Sequence, residues 1–109
     1  MPPSPRTALL VIDIQCGWYN ATPGPHDADG TLARIDDLID RARAAGRPVL
    51  FIQHGEPPEY TPGTAGWELH PRLHRQPGDP VIAKTACDAF LGTTLAADLR
   101  HRGIDTLVV

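Results

Sequence analysis

Five consecutive apolar residues, Ala8-Leu9-Leu10-Val11-Ile12, run directly into Asp13-Ile14-Gln15. An apolar run without alternation fits a strand covered on both faces, as strands are in parallel sheets. In open parallel sheets ligands gather at the carboxyl ends of the strands, where loops and helix starts converge. Asp13 stands at that end. A carboxylate there either closes the strand in a turn or takes part in chemistry, and its position alone does not separate the two.

A second run, Pro48-Val49-Leu50-Phe51-Ile52-Gln53-His54, repeats the pattern. Between the two runs, Leu32, Ile35, Leu38, Ile39 and Ala42 recur at helical spacing. They predict a helix over about 31–45, with Asp29 or Thr31 capping its start and Gly46 and Pro48 ending it. Asp36, Asp37, Asp40, Arg41 and Arg43 read as a solvated face, with Asp37 and Arg41 spaced for a weak surface pair. Strand, helix and strand in this order form a right-handed βαβ unit, so the two strands are parallel neighbours. A shorter strand over Pro80–Ala83 leads to Lys84. A second helix is expected over about 94–102, capped by Thr93, with Leu91, Leu95 and Leu99 on its buried face and Gly103 at its end. Residues 105–109 read as a fourth strand. The class is α/β.

The chain of 109 residues is one domain at most. A net charge of −3 gives no reason to expect nucleic acid or an anionic membrane as a partner. No apolar run approaches the roughly 20 residues that span a bilayer. Residues 1–6 lack the apolar core of a secretory signal and read as a flexible leader to a domain over 7–109. Two cysteines, Cys16 and Cys87, make no disulfide framework, which points to a cytoplasmic setting. Many of the 12 prolines fall between Pro57 and Pro80. They mark residues 55–78 as a long irregular insertion of the functional or mobile kind.

Asp13, Gln53-His54 and Lys84 all close predicted strands, so a parallel sheet puts them on one rim. A carboxylate beside an ammonium is either a structural ion pair or an acid–base pair in which each charge maintains the other. The loop that follows the first strand, Cys16-Gly17-Trp18-Tyr19-Asn20 with Pro23-Gly24-Pro25, brings Trp18 and Tyr19 to the mouth of such a site or over the core. Trp67 reads as an anchor for the insertion. His70 and His74 are four apart, but Pro71 breaks the helical turn that would join them at a metal.

Taken in order, Leu10–Gln15, Val49–His54, Gly66-Trp67-Glu68-Leu69-His70-Pro71, Val81–Thr85 and Asp88–Leu95 resemble the isochorismatase-like cysteine hydrolases, over about Thr7–Val109. The resemblance implies a Rossmann-like three-layer αβα fold with a mostly parallel sheet, reaching only its fourth strand here. It implies that Asp13 takes a thiol proton, Lys84 supports the charged state and a cysteine attacks a carbonyl or similar carbon. The substrate would be a small amide, another C–N compound or a vinyl ether, with Gln15, Trp18 and His54 placed to bind it. No cofactor is implied. The metal-binding histidines of nicotinamidase-like members have no counterpart, because Gly55-Glu56-Pro57 follows His54.

The family's cysteine lies beyond the strand at 105–109, at the start of the next helix, and neither Cys16 nor Cys87 matches it. Residues 1–109 therefore read as the amino-terminal part of such a hydrolase, inactive by this route alone. Leu107, Val108 and Val109 would then lack cover, and self-association, with a homo-oligomer as the outcome, is expected. Two other readings are a non-catalytic binding or assembly module, and phosphoryl transfer through Asp13. The last needs a second carboxylate for magnesium where Gln15 stands.

Overall fold

The computed structural model describes residues 6–19, 21 and 24–109. Strand β1 (Thr7–Ile12) is followed by a single helical turn, α1 (Cys16–Tyr19), and a long helix, α2 (Ala28–Ala44). Strands β2 (Val49–His54) and β3 (Val81–Lys84), helix α3 (Leu95–His101) and strand β4 (Thr106–Val108) complete the order. All pairings are parallel, and the strands lie in the order β3-β2-β1-β4.

The two apolar runs are the two central strands, and alternate residues along each face opposite sides. Leu9, Val11, Val49 and Phe51 pack with Leu32 and Ile39 of α2. Ala8, Leu10, Leu50, Ile52 and Ile82 pack with Leu95 and Leu99 of α3 on the other side. The result is the three-layer α/β arrangement expected. Of the leader, residues 1–5 lie outside the described residues, as do Asn20 and Pro23 of the first loop. Arg6 already belongs to the fold, since its carbonyl accepts the N–H groups of Asp105 and Thr106.

Two boundaries and the placing of two leucines mark the detail of the fold. The first strand stops at Ile12. The Asp13 N–H makes a last bond to the Ile52 carbonyl (3.1 Å), and its left-handed backbone (φ 62°) then turns the chain out of the sheet. Helix α2 begins at Ala28 rather than near 31, and Asp29 sits in its first turn while neither proposed residue caps it. Leu38, 45% exposed, and Leu91, 63% exposed, leave the buried faces assigned to them. The helix ends follow expectation. Gly46 and Gly103 take positive φ, and the residue after each donates back to Ala42 and Leu99 respectively, satisfying the last carbonyls. At the start of α3 the N-cap residue is Thr94 rather than the expected Thr93, whose Oγ1 accepts the Leu95 N–H at 3.3 Å from one residue earlier.

The Pro-rich segment is a docked strap. Leu69 and Leu73 enter the core beside α2. The Ile14 carbonyl accepts from His70 N–H (2.8 Å), and Cys16 N–H donates to the Glu68 carbonyl (2.9 Å). The charge run on α2, read as merely solvated, holds the rest. Asp36 accepts from the His74 backbone (2.9 Å), Asp40 meets the His74 ring (3.0 Å), and Arg43 grips Asp79 with both nitrogens. Only Asp37 and Arg41 form the plain surface pair foreseen.

These contacts give the strap a pH window. Its bond to Arg43 holds the Asp79 carboxyl below the ordinary 3.8, so that anchor is complete above 3.8 and is lost as pH falls through the lower folded value. Hydrogen bonding to Asp40 draws the His74 imidazole above 6.5, so that anchor is complete below 6.5 and is lost as pH rises through the higher folded value. Hydrogen exchange in 66–79 should be slowest, relative to its intrinsic rate, between the two. Arg43→Met should cost about 1–3 kcal/mol and shrink the acid limb to the part that the Gln76 N–H bond to Asp79 sustains; an unchanged acid limb would reject this account of the strap.

Strand β4 pairs with Thr7, Ala8 and Leu9. An apolar cavity of about 220 Å³ opens beside the outer half of β1, lined by Val11, Ile12, Ile35, Leu38 and Val109 among others. Val108 and Val109 are exposed. Among the described residues no helix is long and apolar enough to cross a membrane.

Candidate active site

Parallel pairing brings the carboxyl ends of β1, β2 and β3 to one rim. The register aligns Ile12 with Ile52, Ile52 with Ile82, and His54 with Lys84. Asp13 and Lys84 therefore stand one strand apart at nearly the same level. Lys84 Nζ lies 3.3 Å from Asp13 Oδ1, with the lysine side chain 2% exposed and the aspartate 42%. Lys84 is the sole lysine of the chain. Burying its ammonium costs far more than leaving it in water, and the carboxylate beside it offsets that cost.

Asp13 Oδ1 is itself buried and forms no aligned hydrogen bond. The lysine holds it by charge, and a lone pair remains open to an incoming proton. Lys84 Nζ also donates to the Ala86 carbonyl (3.1 Å) and approaches His54 Nδ1 (3.4 Å). An ammonium only donates, so Nδ1 accepts there and the ring proton sits on Nε2, 2.8 Å from Glu56 Oε2.

Gln15 is completely buried. Its amide donates to the carbonyls of His54 (2.9 Å) and Trp67 (2.7 Å), and its oxygen accepts the His54 N–H (2.9 Å). After Asp13 turns away, this side chain stands in for the next peptide group of β1 and closes the ladder against β2. Gln15, expected to contact substrate, has its amide nitrogen and oxygen both engaged by backbone. Gln53 reinforces the same point, donating to the Trp67 carbonyl at 2.9 Å. Trp67 anchors the strap through its backbone. Trp18, 47% exposed on α1, meets Tyr19 edge-on at 5.6 Å. Cys16 is half-buried and Cys87 exposed, both free.

Tyr60 was invisible to periodicity because it lies in the irregular strap. A short bridge between Glu56 and Tyr60 places its ring edge-on to His54, 5.9 Å away. Burial first, and then the charges of Asp13 and Glu59, push its hydroxyl above the ordinary 10.0, so it stays a neutral donor near the carboxylate. The tip that carries it packs closely on Gly66, where an added Cβ would lie 2.3 Å from the Glu59 carbonyl oxygen. Gly66→Ala should therefore displace this tip and cost about 1–3 kcal/mol, read as a lower melting temperature and a shifted Tyr60 ring signal. A variant that melts like the parent would show that the tip yields freely.

A family model described as the isochorismatase domain matches residues 7–109. Streptothricin hydrolase of Streptomyces noursei is 40% identical over 107 residues, which cover 96% of this chain and 42% of the relative. The uncharacterised isochorismatase family protein YecD of Escherichia coli O157:H7 is 37% identical, with 94% and 63% covered. Ureidoacrylate amidohydrolase RutB of Variovorax paradoxus is 32% identical, with 94% and 56% covered. The chain thus spans roughly half the length of the curated relatives it matches.

Among solved structures, an isochorismatase family protein superimposes with a TM-score of 0.89 at 33% identity, over 94% of this chain and 61% of the other. N-carbamoylsarcosine amidase of Thermoplasma acidophilum gives 0.81 at 27%, over 94% and 65%. With its domain matched from residue 7 to residue 109 and its parallel sheet shared with these structures, the chain belongs to the isochorismatase family.

Proposed function

We propose that this chain supplies the aspartate and lysine of a cysteine hydrolase acting on a small amide or related C–N bond. The observation that carries the reading is the buried Lys84 ammonium 3.3 Å from an Asp13 oxygen with an open lone pair. The relatives' own activities, a streptothricin hydrolase, a ureidoacrylate amidohydrolase and an N-carbamoylsarcosine amidase, favour amides over vinyl ethers.

In this reading Asp13 accepts the thiol proton and the thiolate attacks the carbonyl carbon. The Lys84 charge favours the anions formed on the way. The amine leaves with the proton from Asp13, and water then releases the acid and restores the thiol. Trp18 lines the mouth, and Tyr60 can donate to a substrate oxygen. The nucleophile follows β4. Val108 pairs with Leu9, so a chain continuing in that register would reach the level of Asp13 four residues further on.

Residues 1–109 alone should release no ammonia from acyclic ureido or carbamoyl amides. A polypeptide continued past β4 into the cysteine-bearing helix should do so, and Asp13→Asn in it should lower kcat/KM by about 10³-fold or more. Turnover that survives Asp13→Asn would leave the fold as a binding module or point to another reaction.

A further inference from the structure

The Lys84 side chain is 2% exposed, and three electron-rich atoms surround its amine, two of them aligned as hydrogen-bond acceptors and the third, on Asp13, a charge partner without an aligned bond. These are the Ala86 carbonyl at 3.1 Å, Asp13 Oδ1 at 3.3 Å and His54 Nδ1 at 3.4 Å. An acid–base pair needs only the second. His54 was expected to face substrate, but its side chain is 14% exposed and both ring nitrogens are engaged within the protein.

We propose that His54, held in its Nε2–H form by Glu56, is a positioning residue whose Nδ1 lone pair completes the acceptor set keeping Lys84 an ammonium opposite Asp13. A buried ammonium with an unsatisfied N–H escapes its desolvation by becoming a neutral amine. A neutral amine would neither hold Asp13 ionised nor favour an anion at the reacting carbon. The Gln15 bonds to the His54 backbone fix the ring's base, and Glu56 fixes its tautomer.

Three groups face the imidazole, Lys84 from β3, Glu56 from the turn after β2 and Tyr60 from the strap, and Asp13 at the end of β1 meets the same Lys84 amine. The consequence for catalysis rests on the hydrolase reading; the contact itself does not.

Because Lys84 is the sole lysine, ¹⁵N-lysine labels a single side chain. The native chain should give one slowly exchanging ammonium signal at neutral pH, and ring ¹⁵N shifts should place the His54 proton on Nε2. His54→Phe keeps the ring volume without the acceptor, and ammonium exchange should quicken by at least about tenfold. His54→Asn, whose Oδ1 can stand near the Nδ1 position, should restore it. If His54→Phe fails to fold, Glu56→Ala alters an exposed side chain and should let the Nδ1–H form appear while the ammonium signal weakens. A native ring proton on Nδ1 overturns the proposal, as does an ammonium signal indifferent to a folded His54→Phe chain. Neither readout needs turnover, so a protein that hydrolyses nothing would count against the proposed reaction and not against this assignment.

Discussion

Lys84→Met should abolish amide hydrolysis in the protein that carries this site while changing its stability by only about 1 kcal/mol in either direction. Two effects oppose each other in the fold. Methionine fills nearly the same channel without a charge, so the desolvation of the ammonium disappears. Against this, the Ala86 carbonyl and the His54 ring lose a donor. Asp13 loses its counter-ion at the buried Oδ1, but its side chain as a whole is 42% exposed, so water still solvates part of the carboxylate. No comparable compensation exists in the reaction. Without the ammonium the thiolate and the tetrahedral oxyanion lose a fixed positive charge in a closed site, where a preorganised donor is worth about 10²–10³-fold or more in rate. Turnover and thermal melting on the same sample separate the two. A melting temperature many degrees lower, with activity falling in proportion, would make Lys84 a structural residue and remove the reason for calling this rim an active site.

The sheet was legible because its two central strands carry unbroken apolar runs, and only parallel strands buried on both faces need them. The Asp13–Lys84 juxtaposition followed from the same reasoning, since parallel strands end on one side. What the residues did not announce depends on long-range partners. Asp36, Asp40 and Arg43 have the spacing of a solvated helix face, and nothing local says that His74 and Asp79 return to meet them. Leu69 and Leu73 enter the core from a segment without periodicity, so neither hydrophobic pattern finds them. Leu38 keeps helical spacing yet stays exposed, because the sheet covers a narrower stripe of α2 than five apolar residues suggest. Tyr60 reaches the site by way of the same strap, and its arrival depends on close packing at Gly66 rather than on any motif.

Gln15 carries the second large expected effect, and it separates a binding residue from a structural one. Were its amide a substrate contact, Gln15→Leu would raise KM and leave the fold intact. The geometry calls for the reverse. The substitution strips the His54 N–H and carbonyl of their partners at the point where β1 has already turned away, inside a closed region. Each buried backbone group left unsatisfied costs about 1–3 kcal/mol, so a loss of about 2–4 kcal/mol is expected in denaturant melts. The Trp67 carbonyl keeps its bond from Gln53 and adds little to that loss. Gln15→Glu should be worse at neutral pH, because a buried carboxylate would face two carbonyl oxygens in place of an NH₂ group. Burial and those oxygens would hold its folded pKa above the unfolded value of about 4.3. The deficit relative to the parent should then be greatest above the folded value and shrink as pH falls toward the unfolded one, where the neutral acid can donate one bond. A Gln15→Glu chain that loses stability on acidification no less than the parent does would mean that the amide does not close the β1–β2 ladder.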